Sequence, residues 1–360
     1  RKIRDRLTDG KKRIEDYYQP ADVVLGNTKT FVSANKDQRW FGFVHLMEPH
    51  DPYFERPFTG KGIGRAEMEF PPKELEASIR KAYQQEITAM DADLGRFFQW
   101  MKDEGLYDNT TIVITSDHGE EFLEHGGWWH GTTLYDEQLH VPLIVKLPNG
   151  KWGGTRVPWQ VRQMDTAATL AVLGGAVVPM EWQGDDLFEE DFEDLVAVLK
   201  TTGTPVADET EPLEGEPEAD IDAIPALSSK SELINHKERI VLSEENFEGN
   251  VLSSVRADGF KYIRANVGNP RGLQPEELYE MAPDPGEQNN QVGKNGIVQS
   301  TMSALLRDEL AAAMSVKVEA QQADISADDC ERMRALGYIE GDCSEFSGGP
   351  VSTGASPESP

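Results

Sequence analysis

Thr115 to Gly131 reads TSDHGEEFLEHGGWWHG and sets His118, His125 and His130 within thirteen residues, among Asp117, Glu120, Glu121 and Glu124. Six of the chain's seven histidines lie between His45 and His140. Asp117 and His118 are adjacent and follow an apolar run. They offer a carboxylate for a hard cation and an imidazole that also accepts manganese or zinc. The plainer alternative is an Asp117 that caps a helix and a His118 bonded to backbone. His50, in MEPHDPYFERP, sits between two prolines that stiffen its loop. It can donate a hydrogen bond to an anionic ester oxygen, or serve as a structural loop histidine. His130 opens GTTLYDEQ, which looks helical, and can protonate a leaving alkoxide or hold a nonbridging oxygen, since imidazole titrates near neutrality. His125 stands between two readings, a substrate contact or a surface network with Glu120, Glu121 and Glu124. His45 reads as a core histidine. There is no HExxH, so a zinc-protease reading loses its main support.

The elements that must position these residues follow from apolar patterning. WFGFVHL (Trp40 to Leu46) reads as a buried strand running into the His50 loop. TIVIT (Thr111 to Thr115) is β-branched without alternation, as in a strand covered on both faces, and VPLIVKL (Val141 to Leu147) is a third such run. Lys73 to Glu104 predicts a helix, with Ile79, Tyr83, Ile87, Met90, Leu94, Phe97 and Met101 recurring at steps of three and four. Shorter helices are predicted over Ala21 to Asn35 and Val161 to Gly174. Strand, helix, strand is the pattern of a doubly wound parallel sheet, whose ligands bind outside the carboxyl ends of the strands. The loops of His50 and His118 are then expected on one sheet edge. RIVLSEEN and VLSSVR-ADG-FKYIRA predict strands, the latter two joined at Asp258-Gly259, and a helix is predicted over Ile297 to Met314. The expected organisation is an α/β core over 1–180, an acidic and partly disordered insertion over 181–235, a smaller C-terminal antiparallel subdomain with a helix over 236–340, and a disordered tail over 341–360. No internal repeat is visible.

Composition sets outer limits. The chain has 360 residues, 38% of them hydrophobic, enough for a sizeable core. A net charge of -29 argues against nucleic acid or an anionic membrane as partner, because the field repels phosphate. An anionic substrate must therefore meet a local positive centre. Glu181 to Asp222 holds sixteen Asp and Glu against Lys200 alone, a composition that reads as a solvated insertion. The two cysteines, Cys330 and Cys343, define neither a disulfide framework nor a metal site. No apolar run reaches the length of a membrane span. The first residues show no signal peptide, and the chain has no initiator Met, which raises the expectation of a piece of a longer protein.

FVHLMEPHDPY, DADLGRFFQWMKDEGLYDNT, TIVITSDHGEEFLEHG, HGTTLYDEQLHVPLIV, SVRADGFKYIRA and ELYEMAPDPGEQNN, in that order, resemble the sulfatase family of the alkaline phosphatase superfamily. The resemblance runs with gaps from about Phe41 to Asn290, and LRDEL and RALGYIEG extend it weakly. It implies an alkaline-phosphatase-like α/β fold with a C-terminal antiparallel sheet, and hydrolysis of a small-molecule or carbohydrate sulfate ester with one divalent cation. Residue by residue, Asp117 and His118 correspond to the metal pair after a core strand. His50 corresponds to the histidine of a Pro-His loop that contacts the sulfuryl group or leaving oxygen. His130 stands where relatives place a lysine or histidine that touches the transferred group, and His125 is a further candidate substrate contact. Many sulfatases have Asp-Asn at the metal pair and bind calcium. Asp-His is the form of some sulfatases and of phosphodiesterases and phosphonate monoester hydrolases, often with manganese. Calcium is the first expectation, with manganese or magnesium as alternatives.

One family feature is absent. The formylglycine nucleophile is made from Cys or Ser in a Cys/Ser-x-Pro-x-Arg motif, and none of the chain's cysteines or serines stands in that context. The expectation is a C-terminal portion of a sulfatase, inactive alone, whose nucleophile segment lies elsewhere. A phosphonate monoester or phosphodiester hydrolase, and a noncatalytic binding protein on the same fold, are the alternatives. The family implies export to the periplasm or the cell exterior.

Overall fold

The computed structural model describes residues 19–54, 62–65, 68–188, 239–315 and Cys330. In chain order the elements are α1 (Ala21–Asn35), β1 (Tyr53–Phe54), β2 (Gly62–Ile63), α2 (Glu76–Asp103), β3 (Ile112–Thr115), β4 (Glu121–Phe122), β5 (Trp128–Trp129) and α3 (Asp136–Leu139). They continue with β6 (Leu143–Lys146), α4 (Asp165–Leu173), β7 (Val241–Phe247), β8 (Asn250–Ala257), β9 (Phe260–Ala265), β10 (Glu276–Glu280) and α5 (Gly296–Ser315). Most of the predicted acidic insertion and all of the predicted C-terminal tail lie outside the described residues. The chain divides into two compact units. The first takes 1–108, 121–129 and 317–360, the second 109–120 and 130–316.

In the first unit α2 packs on α1 and on β1, which pairs with β2. Ile79, Phe97 and Met101 of the predicted stripe are buried, but Ile87 is exposed and Glu86 is fully buried in its place. The inward turn of Glu86 has a cause: its carboxylate accepts the Phe54 N–H at 2.8 Å, which satisfies a strand-end donor that burial cuts off from water. Tyr53, Ile79, Phe122, Trp128 and Trp129 form the core cluster that holds β4 and β5 against the helix. Trp40 to Leu46 is not a strand, and His45, expected in the core, is exposed. The run pairs with no strand among the described residues, so nothing there satisfies the ladder that would make it one. Cys330, expected to belong to no disulfide framework, is disulfide-bonded.

The second unit begins with β3, which pairs with β6 in antiparallel register, Ile112 facing Lys146 and Thr115 facing Leu143. The parallel pairing expected for these two runs is thereby corrected. A parallel return needs a crossover, usually a long helix; here the connection within this unit contains only the single turn α3 as helix. β3 is half-buried, and Ile144 on β6 is exposed, so the two-sided cover expected for β3 is not present among the described residues. β10, β9, β8 and β7 form an antiparallel sheet in that order. Asp258 and Gly259 both have positive φ, as do Glu248 and Gly249, which gives each hairpin the turn whose twist matches its strands. α5 closes the sheet by burying Met302 and Leu306 against Val255, Ala257, Tyr262 and Leu278. At roughly 25 cal/mol per Å² of apolar area, each such buried side chain contributes about 1.5–3 kcal/mol.

Candidate functional site

β3 ends at Thr115 and the chain enters a tight loop, Ser116 to Glu120, built by local hydrogen bonds. Ser116 Oγ donates to the His118 carbonyl at 2.7 Å, and the His118 N–H donates to Asp117 Oδ1 at 3.1 Å. The Gly119 N–H donates to the Gln138 carbonyl at 2.8 Å, which ties the loop to α3. A Cβ on Gly119 would run into the Glu137 carbonyl oxygen, so only glycine permits this approach. Asp117 does not cap a helix: none follows it. Its side chain is 71% exposed. Burial pushes the Asp117 carboxyl up, but attraction to His118 and hydrogen bonds from backbone and Ser116 outweigh it and hold the group below its usual range.

His118 is bonded to backbone, as the plainer reading had it, yet this bond also prepares the ring. Nδ1 meets the Gly119 carbonyl at 2.8 Å, which requires a proton on Nδ1 and turns Nε2 to the Asp117 side. Nε2 is 3.7 Å from Asp117 Oδ2. His130 enters from the end of β5, and its ring lies 4.0 Å from that of His118, centroid to centroid, with planes tilted by 31°. Behind it, His130 Nδ1 meets Glu120 Oε1 at 3.1 Å. Of the GTTLYDEQ stretch expected to be helical, only its last three residues, from Asp136 to Gln138, enter a helix, the single turn α3.

The structure thus brings Asp117, His118 and His130 together in one unit. His50 and His125 belong to the other. His50 Nδ1 meets the Asp51 carbonyl at 2.6 Å, and the His50 N–H donates to Met47 O at 2.7 Å. The same loop is fixed to α1 by Glu48, whose Oε1 accepts the Ala21 N–H at 3.0 Å. His125 sits in the tight turn between β4 and β5, half-buried. Of the glutamates considered as its partners, Glu120 reaches His130, Glu121 accepts the Gly127 N–H and Glu124 pairs with Arg80. Two residues of the site were not singled out from the sequence. Glu120 was weighed only against His125, and Gln138 carries no charge to draw notice. A signal for Glu120 existed in its two-residue distance from His118, but its partner is set by the fold.

Among the described residues no group of three or more His, Cys, Asp or Glu converges on a common point, so Asp117 and His118 stand as a pair. The pair fits a divalent cation by donor type and by separation: one carboxylate oxygen and one oriented imidazole nitrogen, close enough to share an ion.

The sequence profile of the sulfatase family matches residues 4–176. The ulvan-active sulfatase of Formosa agariphila is 25% identical over 318 residues, 82% of this chain and 52% of that protein. The N-acetylglucosamine-6-O-sulfatase of Bacteroides thetaiotaomicron is 34% identical over 101 residues, 28% of this chain and 18% of that protein. The chain spans about half the length of the curated relatives that it matches over most of its residues. In fold it is similar to the phosphonate monoester hydrolase of Silicibacter pomeroyi, with a TM-score of 0.55 at 18% identity over 85% of this chain and 61% of that one. Profile, relatives and fold agree: the chain has an alkaline-phosphatase-like α/β fold and is similar to sulfatases, the profile match running over residues 4–176.

Proposed function

We propose that the chain supplies the metal-binding and leaving-group part of a sulfate-ester hydrolase. Asp117 and His118 are the ligands of one divalent cation and His130 contacts the transferred group; for His50 and His125 a substrate contact rests on the family resemblance alone. The observation that carries this reading is the stacked pair His118 and His130 beside the exposed Asp117 carboxylate. Donors 3.7 Å apart can both lie at the roughly 2.0–2.5 Å of a metal–ligand bond. Calcium is the first choice, and the imidazole equally suits manganese, with magnesium third. When bound, the cation withdraws charge from the ester oxygens. With Nδ1 committed to Glu120, His130 works through Nε2, as a donor to a nonbridging oxygen or as the acid for a leaving alkoxide. Carbohydrate sulfates are the proposed substrate class, in keeping with the relative named for N-acetylglucosamine-6-O-sulfate. The disulfide at Cys330 favours an oxidising, exported setting.

Formylglycine does not fit these residues, because no Cys/Ser-x-Pro-x-Arg occurs in the 360. No covalent step is derived from them, and the proposal assigns the nucleophile to sequence outside them. A second reading, hydrolysis of phosphonate monoesters or phosphodiesters, rests on the Asp117-His118 pair in place of Asp-Asn. Calorimetry with calcium or manganese chloride tests the ligand assignment. Weak binding that disappears in Asp117→Ala supports it; tight stoichiometric binding by this chain, or binding indifferent to Asp117, refutes it. Parallel assays of a nucleophile-bearing form on aryl sulfate and on a phosphodiester separate the two ester classes, and a dominant phosphodiesterase rate decides for the second.

A further inference from the structure

The two histidines stack although they arrive on separate stretches of chain, His118 on the loop after β3 and His130 from the end of β5. Something must fix one stretch against the other. Gln138, buried at 3% exposure, touches both. Its main-chain carbonyl accepts the Gly119 N–H at 2.8 Å, next to His118. Its side-chain Oε1 accepts the Gly131 N–H at 2.9 Å, next to His130, and its Nε2 donates to Thr133 Oγ1 at 2.6 Å. Only this orientation of the amide serves both partners, since the Gly131 N–H can only donate. Gly131 has φ of 82°, so its N–H direction is set by a backbone conformation that few residues share.

The turn that carries Gln138 is itself anchored. Asp136, two residues earlier, takes Arg256 Nη1 from β8 at 2.6 Å and Lys261 Nζ from β9 at 2.9 Å. Its N–H donates to Glu287 Oε2 at 2.6 Å, and Tyr135 Oη donates to Glu277 Oε2 at 2.7 Å. A single turn of helix has too few internal bonds to hold its own place. Here the C-terminal sheet holds it.

We propose that Gln138 is the positioning residue of the histidine pair: its carbonyl and amide hold the Asp117-His118 loop and the His130 segment at one point, and the bonds of Asp136 to β8 and β9 set where that point stands. The proposal rests on the reading of Asp117, His118 and His130 as hydrolytic residues for its functional meaning, but its geometry is testable without it. Gln138 would thus act on the metal pair and on the leaving-group histidine together, without touching substrate.

The test is nuclear Overhauser contact between the ring protons of His118 and His130 in this chain, measured in wild type, Gln138→Met and Gln138→Glu. Methionine keeps the length and removes both polar partners, so the contact is lost. Glutamate keeps an acceptor for the Gly131 N–H and lets the Thr133 hydroxyl donate, so the contact returns. A folded Gln138→Met with the contact intact overturns the proposal, and so does a Gln138→Glu that loses it. Should Gln138→Met fail to fold, the near-isosteric Thr133→Val, which strips the amide of its acceptor, weakens the contact, and an unchanged contact there overturns the proposal equally. Manganese broadening of the His118 signals gives a separate reading. Where wild type shows broadening, Gln138→Met binds the ion about tenfold more weakly, the usual effect of removing an outer support of a ligand. Absence of broadening in wild type fails the hydrolytic reading alone, and the ring contact still decides the positioning.

Discussion

In the loop after β3 the Asp117 side chain is 71% exposed and that of His118 36%. Within the same unit, the Asp136 side chain is 17% exposed, Lys261 2% and Glu287 1%. Both clusters place carboxylates against nitrogen bases, and both hold an aspartate below its usual range, but the causes differ. Against the opposing effect of burial, Asp136 is lowered by Lys261 and Arg256, and Asp117 by one imidazole and local N–H groups. The Asp136 cluster pairs its cations with its own anions and is closed. The Asp117 cluster leaves an exposed carboxylate beside an oriented ring nitrogen, the arrangement on which the proposed cation site rests. Density of charge does not identify a site; partners left over do. Glu287 adds a refinement, because burial raises it and the Asp136 charge raises it further against the pull of Lys261. Asp136 has two cations and Glu287 shares one.

The largest effect is expected where the closed cluster is opened. Lys261→Met leaves Glu287 buried with a carboxylate and no ammonium, and costs about 3–5 kcal/mol of stability in urea unfolding; a cost under about 1 kcal/mol would mean that the cluster is not an anchor. Next comes Gly119→Ala, whose methyl meets the Glu137 carbonyl oxygen. Overpacking against backbone costs about 1–3 kcal/mol, and a melting temperature equal to wild type would refute the close approach.

The pH dependence sharpens the comparison from a third side. The folded carboxyl of Asp136 lies below its ordinary 3.8, so the unfolded chain binds the proton more readily in that window. Its stabilisation is complete above the ordinary value and is lost as pH falls below it. Glu287 is raised above its ordinary 4.5, so its effect has the opposite sign, greatest below that value and lost as pH rises past it. The stability difference between wild type and Asp136→Asn should therefore shrink on acidification below about pH 4. A difference that stays constant there would deny the ion pairs their part. The smallest effect on stability belongs to the open cluster. Asp117→Ala should change unfolding free energy by no more than about 0.5 kcal/mol while weakening manganese binding about tenfold or more. A large stability loss would make Asp117 structural.

Much of this was legible in the chain itself, for local reasons. The apolar stripe located α2, and α1 fell over the predicted residues, because helices are set by short-range periodicity. Asp258-Gly259 located the β8–β9 hairpin, since few residue pairs adopt two positive φ angles in succession. Asp117 and His118 stood out by adjacency at the end of a β-branched run. What was not legible depends on partners far away in sequence. Ile87 and Glu86 compete for one inward position, and the Phe54 N–H, on another element, decides for the glutamate. WFGFVHL is apolar enough for a strand, but a strand exists only with a neighbour to pair with.

By itself, then, the sequence determined which residue types were available for chemistry, where the long helix and the tight turns fall, and which family the ordered motifs resemble. Tertiary structure alone decided that His130 stacks on His118, that Glu120 backs His130 rather than remaining a surface charge, and that the aspartate nearest Gln138 is closed while Asp117 stays open. The physical reason is the range of the interactions. Periodicity, turn propensity and adjacency act within a few residues, whereas the bonds of Gln138 to Gly119 and of Asp136 to Arg256 and Lys261 span separations that only the folded backbone brings to hydrogen-bond distance.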